Sequence, residues 1–464
     1  MINLEEPMSV EYAVTNPATG RVETTVPTMS AEEMQSALKR SVAAFAEWRS
    51  ASVAQRAEQL AAVAGLFRER RGALAQLITR EMGKPNHEAL GEVALVADIF
   101  QYYADQGPSF LAESEFEPMG GGKAVLRKEP LGSILGVMPW NFPYYQVARF
   151  AAPTLVAGNA VIVKHAPQCP ESAMAIEEIF RDAGLPQDVY INVFATNEQV
   201  ADMIADPRIM GVSVTGSERA GTAVAEVAAK NLKKVVLELG GSDALIVLDS
   251  PDLAKTVAQA AASRMFNAGQ ACNSPKRMIV AQDIYDEFLE RLVAAVGAVK
   301  WGDPSDPGTT VGPMASLAAA DRLVTQVKEA VSRGATLHVG GNRVDGAGAY
   351  VEPAVLSGIT PDMPTFHEEL FGPVAVVYAA ASVDEAVDLA NNSPFGLGAS
   401  VFSADTDKAV EVAARLDTGM VWINSPEGSA PDLPFGGVKR SGIGRELGAL
   451  GIDEFVNKKT VYIP

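Results

Sequence analysis

The chain has 464 residues, 48% hydrophobic and 20% charged, and 38 Lys and Arg against 57 Asp and Glu leave a formal charge of −19. This composition builds sizeable cores and excludes the disordered, collagenous and disulfide-scaffold classes. The acidic balance argues against nucleic acid or an anionic membrane surface as a partner.

No apolar run reaches the roughly 20 residues that span a bilayer. The acidic start "MINLEEPMSVEY" has no signal-peptide core. The two cysteines, Cys169 and Cys272, make no disulfide framework, so the expected home is a reducing cytoplasm. Residues 31–83 predict helices: "AEEMQSALKRSVAAFAEW" repeats apolar residues at three-to-four spacing, and Ser30 supplies an N-cap. From residue 131 the pattern changes. "GSILGVM" (132–138), "AVIVKHA" (160–166), "VYINVF" (189–194), "MGVSVTG" (210–216) and "KVVLEL" (234–239) predict strands. Helical stretches at 144–157, 171–183, 197–205 and 218–230 separate them. Continuous apolar strands alternating with helices predict an α/β fold with a doubly wound, largely parallel sheet.

A second α/β region is predicted over 243–430, with strands near "ALIVL", "RMIVA", "PVAVVYA" and "GMVWIN". Two lobes imply a cleft between them. "KAVLRKEP" (123–130) and "NKKTVYI" (457–463) predict strands outside both lobes. Strands of that kind often pair between subunits, so a homodimer or homotetramer is expected.

Ligands of open α/β sheets bind beyond the carboxyl ends of the strands. The residues there are Pro139-Trp140-Asn141, Lys164-His165, Thr215-Gly216-Ser217 and Glu238-Leu239-Gly240-Gly241, polar or glycine-rich in each case. No GxGxxG fingerprint follows any strand, and "GGGK" (120–123) is not a P-loop. Either no dinucleotide binds, or one binds in another way. Lys164 suits a ribose hydroxyl or a 2′-phosphate, and equally a solvated strand end. Gly216 and Ser217 precede a helix whose first amides could approach a pyrophosphate. In the second lobe Cys272 sits in "FNAGQACNSPKR" (266–277), among small polar neighbours unlike those of a packed thiol. That stretch alone also fits an inert loop cysteine.

Six segments in order, "MPWNFPYY", "VTGSERAG", "LELGGSD", "NAGQACNS", "EELFGPV" and "PFGGVKRSGIGRE", resemble the signature segments of the aldehyde dehydrogenase superfamily over nearly the whole chain. "MPWNFP", "KHAP" and "ELGGSD" are most similar to its bacterial succinate-semialdehyde dehydrogenase branch. The resemblance implies a cofactor domain of residues 1–118 and 132–237, and a catalytic domain of 238–430. It implies an oligomerisation β-arm of 119–131 and 454–464, with 431–453 returning to the cofactor domain.

The resemblance also implies that Cys272 is the nucleophile and Glu238 the general base, with the Asn141 amide and the Cys272 N–H as oxyanion hole. Sulfur attacks an aldehyde readily near neutral pH, fixed donors hold the oxyanion, and a carboxylate deprotonates the hydrolytic water. Met138, Pro139, Trp140, Lys164, Pro167, Thr215, Gly216, Ser217, Leu239, Glu369 and Phe371 are the implied contacts of NADP or NAD. Pro167 stands where NAD-preferring members often carry a glutamate, so NADP is expected to be accepted and NAD also usable. Arg149 and Ser429 are the implied ligands of the substrate's distal carboxylate, which makes an acid-semialdehyde the expected small-molecule partner. The other enzyme reading is a broader aldehyde dehydrogenase, acting for example on glutarate semialdehyde. Two positions depart from the branch: Phe266 replaces a frequent second arginine, and Ser274 replaces a second cysteine. No metal is implied.

Overall fold

The structure, a computed structural model, describes residues 12–426 and 428–464. The acidic N-terminal stretch up to residue 11 lies outside the described residues. The first lobe is a six-stranded sheet in the order Gly442–Ile443, Lys234–Glu238, Ile209–Thr215, Ser133–Val137, Ala160–Lys164, Tyr190–Val193. All neighbours are parallel except Gly442–Ile443, which runs antiparallel beside Lys234–Glu238. The strands are mostly apolar because both faces are covered. Ile134, Val161, Val163 and Val236 join a core with the helices Val53–Glu69, Asn86–Phe110 and Tyr145–Val156. Their alternate neighbours Leu135, Ile162, Val214 and Leu237 face a second core, shared with Met34, Leu38, Met203 and Val224. The sheet is doubly wound, as the alternation predicts.

The helix Ala31–Trp48 starts where expected, with a full capping box between Ser30 and Glu33. Among the elements absent from the sequence-based expectation are the hairpin Tyr12–Asn16/Arg21–Val26 and the 25-residue helix Asn86–Phe110, whose buried Glu92 interrupts the apolar stripe by which such a helix is found.

The second lobe holds seven strands in the order Thr336–Val339, Ala354–Ser357, Val374–Ala380, Pro275–Ala281, Asp243–Val247, Gly398–Phe402, Met420–Ile423. Only the first pairing is antiparallel. Outside both sheets, Val456–Ile463 pairs antiparallel with Lys123–Pro130 through eight consecutive partners, and Ser114–Phe116 adds a third strand. Among the described residues no helix is long and apolar enough to cross a membrane.

Candidate active site

Cys272 lies on the loop between the helix Leu253–Met265 and the strand Pro275–Ala281. Before it, Asn267, Ala268 and Gly269 run at φ 52°, 52° and 68°. Left-handed backbone costs a non-glycine residue about 1–2 kcal/mol, so the surroundings must impose it. Glu88 accepts the Asn267 N–H at 2.9 Å. The Asn267 amide donates to the carbonyls of Asn141 (2.9 Å) and Gln270 (3.2 Å), and the Gln270 side chain accepts the Ala315 N–H at 2.9 Å. Gly269 is obligatory twice over: φ is positive, and a Cβ would stand 2.2 Å from the Gly372 carbonyl oxygen.

Arg264, fully buried, ties this loop to the Glu369 loop. Its guanidinium donates to Val374 O (2.8 Å), Leu370 O (2.7 Å), Gly372 O (2.6 Å), Gly269 O (3.1 Å) and Ser274 Oγ (2.9 Å). It is therefore spent on the backbone and does not stand in for the missing substrate arginine. Ser274 serves as its acceptor. Lys276 donates to the carbonyls of Ala271 and Cys272 at 2.8 Å each and pairs with Glu369 at 3.2 Å.

Cys272 is partly exposed, on a cavity of about 760 Å³ walled by Leu95, Phe142, Tyr145, Phe266, Ser429 and Phe435, among others. Enclosure pushes its thiol up to about 11, against the pull of Arg149 and Lys276. Phe266 stacks on Phe142 at 5.9 Å, making an apolar wall where a cation was looked for. The Cys272 N–H makes no hydrogen bond among the described residues, while the Asn141 amide donates to Gln270 O at 3.0 Å. A side-chain amide carries two N–H groups, which leaves one of Asn141's for another acceptor.

Glu238 ends the strand Lys234–Glu238 with 2% exposure, and neither carboxylate oxygen has a hydrogen-bond partner. Burial pushes its carboxyl well above the usual range, with Arg149 opposing and Glu446 adding to the rise. Space for it depends on Gly436, where a Cβ would lie 2.7 Å from Glu238 Oε1. Gly442 pairs with Glu238, and Ser441 binds Leu239 N–H (2.9 Å) and Gly240 O (2.8 Å), so the returning segment fixes the strand's end.

Arg149, the expected ligand of the substrate's carboxylate, lies behind the cavity wall in the structure. It has no exposure and does not reach the cavity; its Nε pairs with Glu446 Oε2 at 2.7 Å. Its guanidinium lies over the rings of Phe435 (4.1 Å) and Tyr145 (4.9 Å), which stand between it and the cavity. The reason is the buried carboxylate: a charge there must be paired, and Arg149 is the group that pairs it. Ser429 does line the cavity. Glu446 sits in the quoted "GIGRE" stretch, but nothing local marks it as Arg149's partner.

On the sheet's carboxyl edge, Met138 N–H binds Lys164 O at 3.0 Å, which brings Met138-Pro139-Trp140 beside Lys164. Lys164 is 7% exposed and its ammonium makes no hydrogen bond or ion pair with the described residues; burial lowers it to about 8. Pro167 lends its carbonyl to Ala13 N–H at 3.0 Å. Thr215 Oγ1 is buried without a partner, Gly216 N–H binds Glu238 O at 3.0 Å, and Ser217 caps the helix Glu218–Lys230. Leu239 packs on Gly221, where a Cβ would clash at 2.5 Å. Across the cleft Glu369 accepts the Gly241 N–H at 3.2 Å, and Phe371 meets Trp140 edge-on at 5.8 Å. An unpaired buried cation, an orphan hydroxyl and a helix N-terminus along one sheet edge fit a ribose and phosphates.

These features define the class: a two-lobed α/β enzyme fold with a cysteine in the cleft and a nucleotide-competent sheet beside it. The chain belongs to the aldehyde dehydrogenase family, whose sequence model matches residues 5–461. It is 53% identical over 450 residues to a Deinococcus radiodurans protein named succinate-semialdehyde dehydrogenase (NADP+), covering 97% of this chain and 94% of that one. It is 45% identical to succinate semialdehyde dehydrogenase (NAD(P)+) of Escherichia coli K12, covering 96% of each. The solved structure of succinic semialdehyde dehydrogenase from Streptococcus pyogenes with NADP+ superposes with a TM-score of 0.96. It is 44% identical, over 98% of this chain and 100% of that one.

Proposed function

We propose that this chain oxidises succinic semialdehyde to succinate, with NADP or NAD as acceptor, through a thioester on Cys272. The observation that carries the reading is Cys272 at the wall of an apolar cavity whose far side is Glu238's lobe; the relatives' names agree with it. Cys272 Sγ adds to the aldehyde carbon as its thiol proton passes to solvent water. The Cys272 N–H and the Asn141 amide hold the resulting oxyanion. When bound, the oxidised nicotinamide supplies the two-electron acceptor. Glu238 then takes a proton from water, whose oxygen attacks the thioester and releases the acid and the thiol. Its raised pKa makes it the stronger base once ionised. Lys164, Thr215, Ser217 and Glu369 would hold the dinucleotide. Pro167 offers no carboxylate to repel a 2′-phosphate, which supports use of NADP.

The three-stranded arm, with Tyr462 and Ile463 exposed, is the surface through which a homodimer or homotetramer assembles. Two free cysteines suit a reducing cytoplasm. The test is formation of reduced nicotinamide with succinic semialdehyde, glutarate semialdehyde and pentanal, each with NADP and NAD. The expected order places succinic semialdehyde first with NADP; equal rates on all three aldehydes would replace the reading with a broad aldehyde dehydrogenase.

A further inference from the structure

Asn141 stands on the short loop between the strand Ser133–Val137 and the helix Tyr145–Val156. A side chain on a loop is only as well placed as the bonds that fix its backbone. From the second lobe the loop is held at Asn141 itself, whose carbonyl accepts the Asn267 amide and whose amide donates to Gln270 O. From the first lobe it is held at Met138, by Lys164 O, and again at Pro143. At Pro143 the bond comes from a side chain, His165.

His165 has no exposure. Its Nδ1 accepts the Ala166 N–H at 2.9 Å, so the ring proton sits on Nε2, which donates to Pro143 O at 2.7 Å. Pro143 is buried and has no N–H of its own. The carbonyls on either side serve the helix: Phe142 O accepts Gln146 N–H (3.1 Å), and Tyr144 O accepts Ala148 N–H (2.9 Å). Among the described residues Pro143 O accepts no backbone N–H, and a buried carbonyl needs a partner. His165 is that partner. Burial lowers the ring to about 4, against the Pro143 bond and with Lys164 adding to the fall, so at neutral pH the imidazole keeps one charge state. One ring thus joins the strand end that carries Lys164 to the loop that carries Asn141.

We propose that His165 is a positioning residue for the oxyanion hole: its Nε2–H holds the Pro143 carbonyl and so sets the Asn141 amide against the Cys272 N–H. This rests on the reading of Asn141 as an oxyanion donor. His165 acts only through the loop.

The test is a double-variant cycle of His165→Asn with Asn141→Ala, read as the single-turnover rate of reduced-nicotinamide formation from succinic semialdehyde. The Asn side chain keeps an acceptor for Ala166 N–H and falls short of Pro143. Removing an oxyanion donor costs on the order of 10²–10³-fold, which is the effect expected of Asn141→Ala. Misplacing it costs less, so His165→Asn alone should slow the rate about tenfold. In the Asn141→Ala background the same change should add nothing, because the group it positions is gone. The KM for NADP should hardly change, since the bond beside Lys164 is kept. His165→Gln still reaches Pro143, should retain most of the rate, and carries the test by itself if His165→Asn does not fold. Equal slowing by His165→Asn in both backgrounds, no slowing in either, or a tenfold loss in His165→Gln would overturn the proposal. Asn141→Ala with an intact rate would instead sink the oxyanion assignment on which it rests.

Discussion

The loop that presents Cys272 and the pocket that holds Glu238 belong to different lobes, and they are built on opposite terms. In the loop, polar groups are paired: Arg264 alone makes five hydrogen bonds there, four of them to carbonyls, and Asn267 is bonded through both backbone and side chain. In the pocket both Glu238 oxygens, both Arg149 terminal nitrogens and Glu446 Oε2 lack a directed hydrogen bond. Two carboxyls and one guanidinium share a space that burial makes hostile to charge. Saturation holds a nucleophile in a costly backbone conformation; incomplete satisfaction leaves a base able to change its protonation and its position. Rigid presentation and proton handling have been assigned to separate parts of the cleft.

The widest break in that contrast comes from removing each reacting group. Cys272→Ala should take turnover below detection. Glu238→Gln should slow steady-state turnover by on the order of 10²–10⁴-fold, yet retain a first burst of reduced nicotinamide in rapid mixing. It should not lower the melting temperature, because it removes a buried carboxylate that accepts no hydrogen bond. A variant that kept the steady rate would show that another group is the base.

Next in size is Arg149→Met. Leaving Glu446 and Glu238 without their shared cation should cost about 3–5 kcal/mol, read as a drop in the denaturant midpoint. Adding Glu446→Gln should restore part of it. No rescue in the double variant would mean that the pair is not the source of the loss.

A smaller effect comes from Glu88, which braces the loop from the cavity side. Its carboxyl is raised from 4.5 to about 8, so the folded chain keeps a proton that the unfolded chain releases. The contribution to stability is full below about 4.5 and declines as pH rises towards 8. Glu88→Gln should therefore flatten the fall in thermal midpoint between those values; an unchanged pH profile would refute the assignment. Smallest of all, Ser274→Ala removes one of Arg264's five acceptors and should cost about 1–2 kcal/mol, with turnover reduced a few-fold. A larger loss of turnover than of stability would show that this single bond aims the sulfur.

Which parts could be read from the sequence follows from the same contrast. The first-lobe strands and their polar ends were legible because continuous apolar runs and helix periods are local signals. Cys272, Glu238 and Asn141 stand in local motifs and were legible for that reason. Arg149 was also legible as a cation near the site, but not its direction: a guanidinium on a long stem can turn either way from its helix. What turns it, Glu446, lies far along the chain. The helix Asn86–Phe110 escaped notice because Glu88 and Glu92 face inward to the two loops instead of outward to water. No local motif marks Arg264 as the tie for backbone carbonyls that it is, because that role depends on three elements meeting.

The antiparallel strand Gly442–Ile443 closes the edge of the sheet beside Glu238, and the same segment brings Phe435, Gly436 and Glu446. During synthesis, the first lobe's five parallel strands emerge long before this piece. Until the ribosome has passed residue 446, the sheet keeps an open edge and Arg149 lacks its Glu446 partner. A chain released early thus carries its nucleophile but not the setting of its base. A chain cut short before this segment would carry an unpaired strand beside Glu238, the kind of edge that pairs with other chains.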